Sequence, residues 1–273
     1  MHEVPANADR PPVRWWGTIV AVAVILVVSH ALIFDLANAP LSGDRGLFLV
    51  IVQEVLRGGV PHEAAFDHKP PGYPMVAAAA MTAGRWIGLD DVPAARCLDA
   101  MGLVLVLLMA AGLVRRVGGP AWAGLASVAV VGSSGVLGIS SVLGGEPKVP
   151  MLVMGLASLF LFSSHRPLAG GLTAGLASLF WQPGALFLLG FLSDTRSTQA
   201  ALHRWTNALA GFAAPWVVVG AMYAVRGSLS RFLHDILVFN LSYVRDQLPG
   251  DHLVHHLQRL ITTLSWWDLG LLI

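Results

Sequence analysis

Asp44, Lys69, Glu146 and Lys148 are the side chains of this sequence with the means to do chemistry, and each falls in a loop of a chain otherwise poor in charge. Asp44 stands just ahead of the apolar run Leu47 to Leu56. There a carboxylate either caps the first N–H groups of a helix or serves as a general base for a hydroxyl within hydrogen-bond reach. Lys69 sits in FDHKPPGYP, directly before Pro70 and Pro71. A residue before proline is pushed out of the α region, so its side chain has few directions to point. An ammonium held that way suits a phosphate; the plainer alternative is a snorkelling interface lysine. Glu146 and Lys148 flank Pro147. They read either as a salt-bridged cap for the next helix or as a second wall of one pocket, with Glu146 orienting an acceptor or a cation. Lys69 and Lys148 are the only two lysines in the chain.

Other polar residues gather without a recognised pattern. His62, Glu63, Asp67 and His68, and later Asp251, His252, His255 and His256, are ligand types for a divalent metal. Their spacing matches no zinc motif, so no metal ligand is assigned and a divalent cation stays an open option. Cys97 is alone, which excludes a disulfide framework and CxxC chemistry. P-loop, GxGxxG, HExxH and GxSxG patterns are absent. A net charge of +1 gives no case for nucleic acid. Arg226, Arg231 and Arg245 read as contacts to lipid headgroups or to a lipid phosphate, and Trp15-Trp16 and Trp266-Trp267 as interface anchors.

The elements that must position these residues belong to a membrane protein. Of 273 residues 55% are hydrophobic and 12% charged, against about 25% charged in soluble domains. Trp15 to Phe34, about 20 residues long, is a first crossing rather than a cleaved signal. Leu47 to Leu56 reads as an interfacial helix stopped by Gly58-Gly59. Tyr73 to Leu89 is too short to cross. Ala100 to Val114, Pro120 to Val142, Pro150 to Phe162, Leu168 to Phe180, Gly184 to Leu192 and Trp205 to Val225 follow, and Leu229 to Val244 reads as a second interfacial stretch. The fold expected is all-α, a polytopic membrane protein with about seven to eight transmembrane helices and interfacial helices in its first and last outer loops. Keeping Tyr73 to Leu89 at the interface puts Arg115-Arg116, His165-Arg166 and Arg196 to Arg204 inside, as the positive-inside rule asks. Residues 1–14 are then a cytoplasmic tail and 15–273 one module, with outer loops 37–99 and 226–262. Asp44, Asp67, Lys69, Glu146 and Lys148 share the outer face of the cell membrane. The chain stops within the apolar stretch Leu264 to Ile273, which suggests a module cut short.

The order of features resembles the GT-C superfamily of membrane glycosyltransferases, relatives of protein O-mannosyltransferases and aminoarabinose transferases. The residues that carry it are Asp44 soon after the first helix, Leu56-Arg57-Gly58-Gly59-Val60-Pro61, and Asp67-His68-Lys69-Pro70-Pro71-Gly72-Tyr73. Glu146-Pro147 and Phe239-Asn240-Leu241-Ser242-Tyr243 add to it. The resemblance implies a sugar donor linked to polyprenyl phosphate, transfer on the extracytoplasmic face, and inversion at the anomeric carbon. It implies Asp44 and Glu146 as catalytic residues, Asp44 being the base or an acceptor-orienting acid and Lys69 the contact to the donor phosphate. Asp67, His68, Tyr73, Lys148, Asn240 and Tyr243 are then substrate contacts. Two departures stand out: Arg45 follows Asp44 where relatives often pair two acids, and His68 precedes Lys69 where some carry an acid.

The chemistry is self-consistent. A sugar on a polyprenyl phosphate already has a good leaving group, so the site needs a base for the incoming hydroxyl and positive charge at the phosphate. The acceptor is a glycan, lipid or protein hydroxyl. Two other classes compete: a secondary transporter or lipid-carrier flippase, which places ionisable residues at the bilayer midplane, and a catalytically silent membrane subunit.

Overall fold

A computed structural model describes residues 13–35, 38–41, 43–63, 66–193 and 198–246, and among these every regular element is helical. The elements are α1 (Val13–Ile33), α2 (Asp44–Leu56), α3 (Gly72–Trp86), α4 (Asp91–Arg116), α5 (Ala121–Gly132), α6 (Gly135–Val142), α7 (Lys148–Ser163) and α8 (Pro167–Phe180). A 3₁₀ helix (Gln182–Ser193), α9 (Thr198–Val225), α10 (Leu229–Leu233), a π-helical turn (His234–Val238) and α11 (Phe239–Asp246) complete them.

Among the described residues three helices are long and apolar enough to cross a membrane: Trp15–Ile33, Asp91–Arg116 and Leu202–Val225. Ala121–Gly132, Lys148–Ser163, Pro167–Phe180 and Gln182–Leu192 are apolar but shorter. The expected single span Pro120 to Val142 is broken. Ser133 donates its hydroxyl back to the Val130 carbonyl, and the Ser134 hydroxyl accepts the Leu137 N–H, so one helix ends and α6 begins. Leu264 to Ile273 and the histidines near residue 255 lie outside the described residues.

On α1, Ile19, Ala23 and Val27 form a stripe at four-residue spacing against Leu103, Leu107 and Ala111 of α4 and Val128 of α5. Its opposite face, with Val20, Val24, Ile25, Val28 and Leu32, is open. Apolar exposure on that scale fits lipid as the surrounding solvent, not water. Elsewhere small residues let helices touch backbone to backbone. A Cβ on Gly171 of α8 would lie 2.0 Å from the Ala208 carbonyl oxygen of α9, and one on Gly211 2.1 Å from that of Leu168.

The core that carries the site joins Phe48, Leu49 and Val52 of α2 to Tyr73, Ala77 and Met81 of α3, Ala94 and Ala95 of α4, Met151 of α7, and Ala177 and Phe180 of α8. A second cluster ties Val60 to Leu179, Tyr223, Phe232 and Ile236. Through it the loop of residues 57–71 rests on the far half of the chain.

Candidate functional site

One cavity of about 500 Å³ opens where α2, the 57–71 loop, the turn before α7 and the start of the 3₁₀ helix converge. Asp44, His68, Lys69, Glu146, Lys148 and Asn240 line it, together with Arg45, Phe48, Trp181 and Gln182. Charges far apart in sequence thus meet in one place.

Asp44 is the first residue of α2, not its cap. Gly43, at φ 59°, holds the cap position with no side-chain bond, so the carboxylate is free to look into the cavity. Its side chain is 77% exposed and Oδ2 lies 3.2 Å from Lys69 Nζ. The Lys69 ammonium, 12% exposed, also sits 4.2 Å from the centre of the Phe48 ring. On the facing wall Lys148 Nζ is 3.5 Å from Glu146 Oε1 and 5.1 Å from the centre of the Trp181 ring. Each lysine is therefore held between one carboxylate and one aromatic face.

The Lys69 backbone is fixed from several directions. Asp67 Oδ1 accepts the Lys69 N–H at 3.0 Å. The His68 carbonyl accepts Gln182 Nε2 at 2.7 Å and Asn240 Nδ2 at 2.6 Å. Tyr223 donates its hydroxyl to the Pro61 carbonyl at 2.9 Å, and Ser228 donates to Glu63. Buried His62, at φ 67°, places Nδ1 3.4 Å from Asp235 Oδ2. The side chains of His62, Glu63 and Asp67 are thus spent on anchoring the loop, while His68 faces the cavity. Among the described residues no group of three or more His, Cys, Asp or Glu side chains has the geometry to hold a metal ion.

Burial tunes this loop. Asp67, 2% exposed, has its pKa pushed up to about 6 by desolvation, against the opposing pull of the Lys69 backbone N–H. His62 is shifted down by desolvation, which outweighs the hydrogen bond to Asp235. His68 is also lowered, by desolvation first and the Lys69 charge second.

Two of the expected substrate contacts lie behind the wall instead of on it. Asp67 is buried with Oδ1 committed to Lys69 N–H. Tyr73 is 1% exposed, its hydroxyl donating to Asp99 Oδ2 at 3.1 Å and accepting the Gly145 N–H at 2.8 Å. Tyr73 lacks a free face because Phe48 of α2 packs against its ring while Asp99 and Gly145 take its hydroxyl. Tyr243 lies on α11, and its side chain is outside the described residues. Sequence reasoning missed Arg45, Trp181, Gln182, Asp235 and Asp99. Asp99 had a legible signal, an acid in the buried stripe of α4 that runs Ala95, Asp99, Leu103, Leu107.

A wider opening of about 660 Å³ lies between residues 39–41 and the α3–α4 turn. Both of its cations are already engaged: Arg85 makes two 2.8 Å bonds to Asp91, and Arg96 donates to the Ala39 and Leu143 carbonyls. The cavity at Lys69 is therefore the better candidate.

Known proteins resemble this chain over most of its length. The family model for glycosyltransferase family 87 matches residues 72–273. Among solved structures, the S. cerevisiae protein O-mannosyltransferase Pmt1-Pmt2 complex bound to the sugar donor shares the fold at a TM-score of 0.53 and 18% identity. The match covers 80% of this chain and 36% of that one. No curated protein matches the sequence.

Proposed function

The chain belongs to glycosyltransferase family 87, a family of GT-C type, and from that premise we propose that it moves a sugar from a polyprenyl-phosphate carrier to an acceptor hydroxyl on the extracytoplasmic face of its membrane. The observation that carries the reading is the shared cavity of Asp44, Lys69, Glu146 and Lys148. Two carboxylates and two held ammonium groups are the kit this transfer needs.

In this reading the donor phosphate enters beside Lys69 and offers its ammonium a second anionic partner. That loosens the exposed Asp44–Lys69 pair, which contributes little by itself, and leaves Asp44 free to face the acceptor. Asp44 takes the proton of the acceptor hydroxyl as its oxygen bonds to the anomeric carbon. The bond from that carbon to the phosphate oxygen breaks with its electron pair left on the phosphate, where Lys69 and Lys148 meet the growing charge. Glu146, across the cavity, orients the acceptor. Attack opposite the leaving phosphate inverts the anomeric centre. The same reading keeps about seven to eight crossings, with the N-terminus cytoplasmic.

Purified protein in nanodiscs is given a panel of polyprenyl-phosphate hexoses and pentoses with alkyl glycosides as acceptors. Glycosyl product is expected. Asp44→Asn lowers kcat by about a hundredfold, and Lys69→Ala raises the donor KM about tenfold or more, the worth of a charge-assisted bond. Wild-type rates in both variants contradict the assignment, and donor crossing of the bilayer in sealed proteoliposomes without product favours a flippase.

A further inference from the structure

We propose that Tyr73 and Asp99, neither of which reaches the cavity, are positioning residues that set the aim of Glu146; the inference rests on the transferase reading above and adds to it. Glu146 comes directly after Gly144 and Gly145, at φ 76° and 77°. Two successive glycines in left-handed conformations carry no side chain that could fix the direction of the next residue, and they lose the most freedom on ordering. Something else must hold the turn.

The structure supplies it from beneath. Asp99 on α4 is fully buried, 0% exposed. Its Oδ2 accepts the Glu146 backbone N–H at 3.1 Å and the Tyr73 hydroxyl at 3.1 Å. Tyr73 in turn accepts the Gly145 N–H at 2.8 Å. Two consecutive amides of the turn are thereby pinned to one carboxylate and its phenol partner. The glycines complete the fit: a Cβ on Gly144 would meet Arg96 Cγ at 2.9 Å, and one on Gly145 would meet the Arg45 backbone at 3.1 Å.

Packing alone does not account for a carboxylate there. A buried acid is costly, and its Oδ1 has no hydrogen-bond partner among the described residues. An apolar side chain of similar volume would fill the space between α3, α4 and the turn at lower cost. What it could not do is accept two bonds that orient the backbone of Glu146. Tyr73 also packs edge-on against Phe48, the ring under Lys69, at 6.1 Å between centres. A Tyr73→Phe change keeps that ring contact and removes only the hydroxyl.

A double-mutant cycle in turnover tests this. Tyr73→Phe is expected to lower kcat about tenfold, the worth of the lost bonds, with the donor KM unchanged. In a Glu146→Gln background it is expected to add less than about twofold, because the group it aims is already disabled. Asp99→Leu should behave as Tyr73→Phe does, and Asp99→Asn, which still accepts through its amide oxygen, should recover most of the rate. A general loss of folded enzyme would instead lower apparent kcat by the same factor in both backgrounds and leave the donor KM unchanged; an equal loss in both backgrounds, or no change in kcat with Tyr73→Phe, overturns the inference. The transferase reading is judged separately, by Asp44→Asn and Lys69→Ala.

Discussion

The Lys69 ammonium lies between the Asp44 carboxylate and the Phe48 ring while its own backbone N–H is held by Asp67. Sequence alone made the direction of Lys69 narrow, because Pro70 comes next, and that much was legible. What it could not show was the role of Asp67, because the burial of a loop carboxylate is set by tertiary packing, which leaves no pattern in the sequence. Burial has a measurable consequence. The pKa of Asp67 is raised from 3.8 to about 6 in the folded protein, so folding favours its protonated form. The stability associated with that proton is fully present below about pH 4 and is lost as pH rises through about 6. A shift of about two units corresponds to roughly 3 kcal/mol. Unfolding measured in detergent between pH 4 and pH 7 should show this decline, and Asp67→Asn, which can still accept the Lys69 N–H, should remove it. A decline of the same size in Asp67→Asn would show that another group is responsible. His62 acts in the opposite sense: its pKa is lowered, so its contribution is lost as pH falls below the ordinary imidazole range.

Helices, loops and turns bring these residues together by two devices that hydropathy does not announce. One is the π-helical turn His234–Val238. In an α-helix, five residues cover about 1.4 turns and would send Asp235 and Asn240 to different faces. The wider turn places both toward the 57–71 loop, where Asp235 meets His62 and Asn240 meets the His68 carbonyl. Gln182 reaches that same carbonyl from the break after α8, so the Lys69 loop is clamped twice. Asn240→Ala or Gln182→Ala alone should raise the donor KM a few-fold, and the pair together more than about tenfold, read by steady-state kinetics. Additive effects that spare the donor KM would speak against a clamp. The other device is close helix contact. Gly171→Ala would force a Cβ to within 2.0 Å of the Ala208 carbonyl, a clash expected to cost about 1–3 kcal/mol in thermal unfolding. Gly220→Ala, with open space around it, is the control expected to change little. Apolar runs in the sequence located these helices. The split of Pro120 to Val142 at Ser133-Ser134 was not visible, since hydroxyl-to-backbone bonds leave no mark on hydropathy.

At the scale of the molecule, the placement of Asp44 beside Glu146 was the part of the sequence reading with the longest reach. It rested on charge scarcity and on the positive-inside rule applied to Arg115-Arg116 and the loops after it. Family membership places the chain among the glycosyltransferases of family 87, and the cavity is where we propose that the transfer takes place. Orientation in the membrane is a prediction that labelling can check. In a Cys97→Ser background, single cysteines at Asp44 and Lys148 should react with a membrane-impermeant maleimide added outside intact cells, and one at the exposed Val117 should react only after permeabilisation. Equal reactivity at all three would end the outer-face assignment. The most direct measurement is photo-crosslinking with a polyprenyl-phosphate sugar analogue that carries a diazirine next to the phosphate, with peptide mapping of the adducts. The account predicts adducts at residues 44–48, 67–71, 145–148 and 181–183, competed away by unlabelled donor and reduced by Lys69→Ala. Competable adducts confined to the apolar groove between α4 and α7 around Leu105, Met109 and Phe160, with none at those segments, would contradict it.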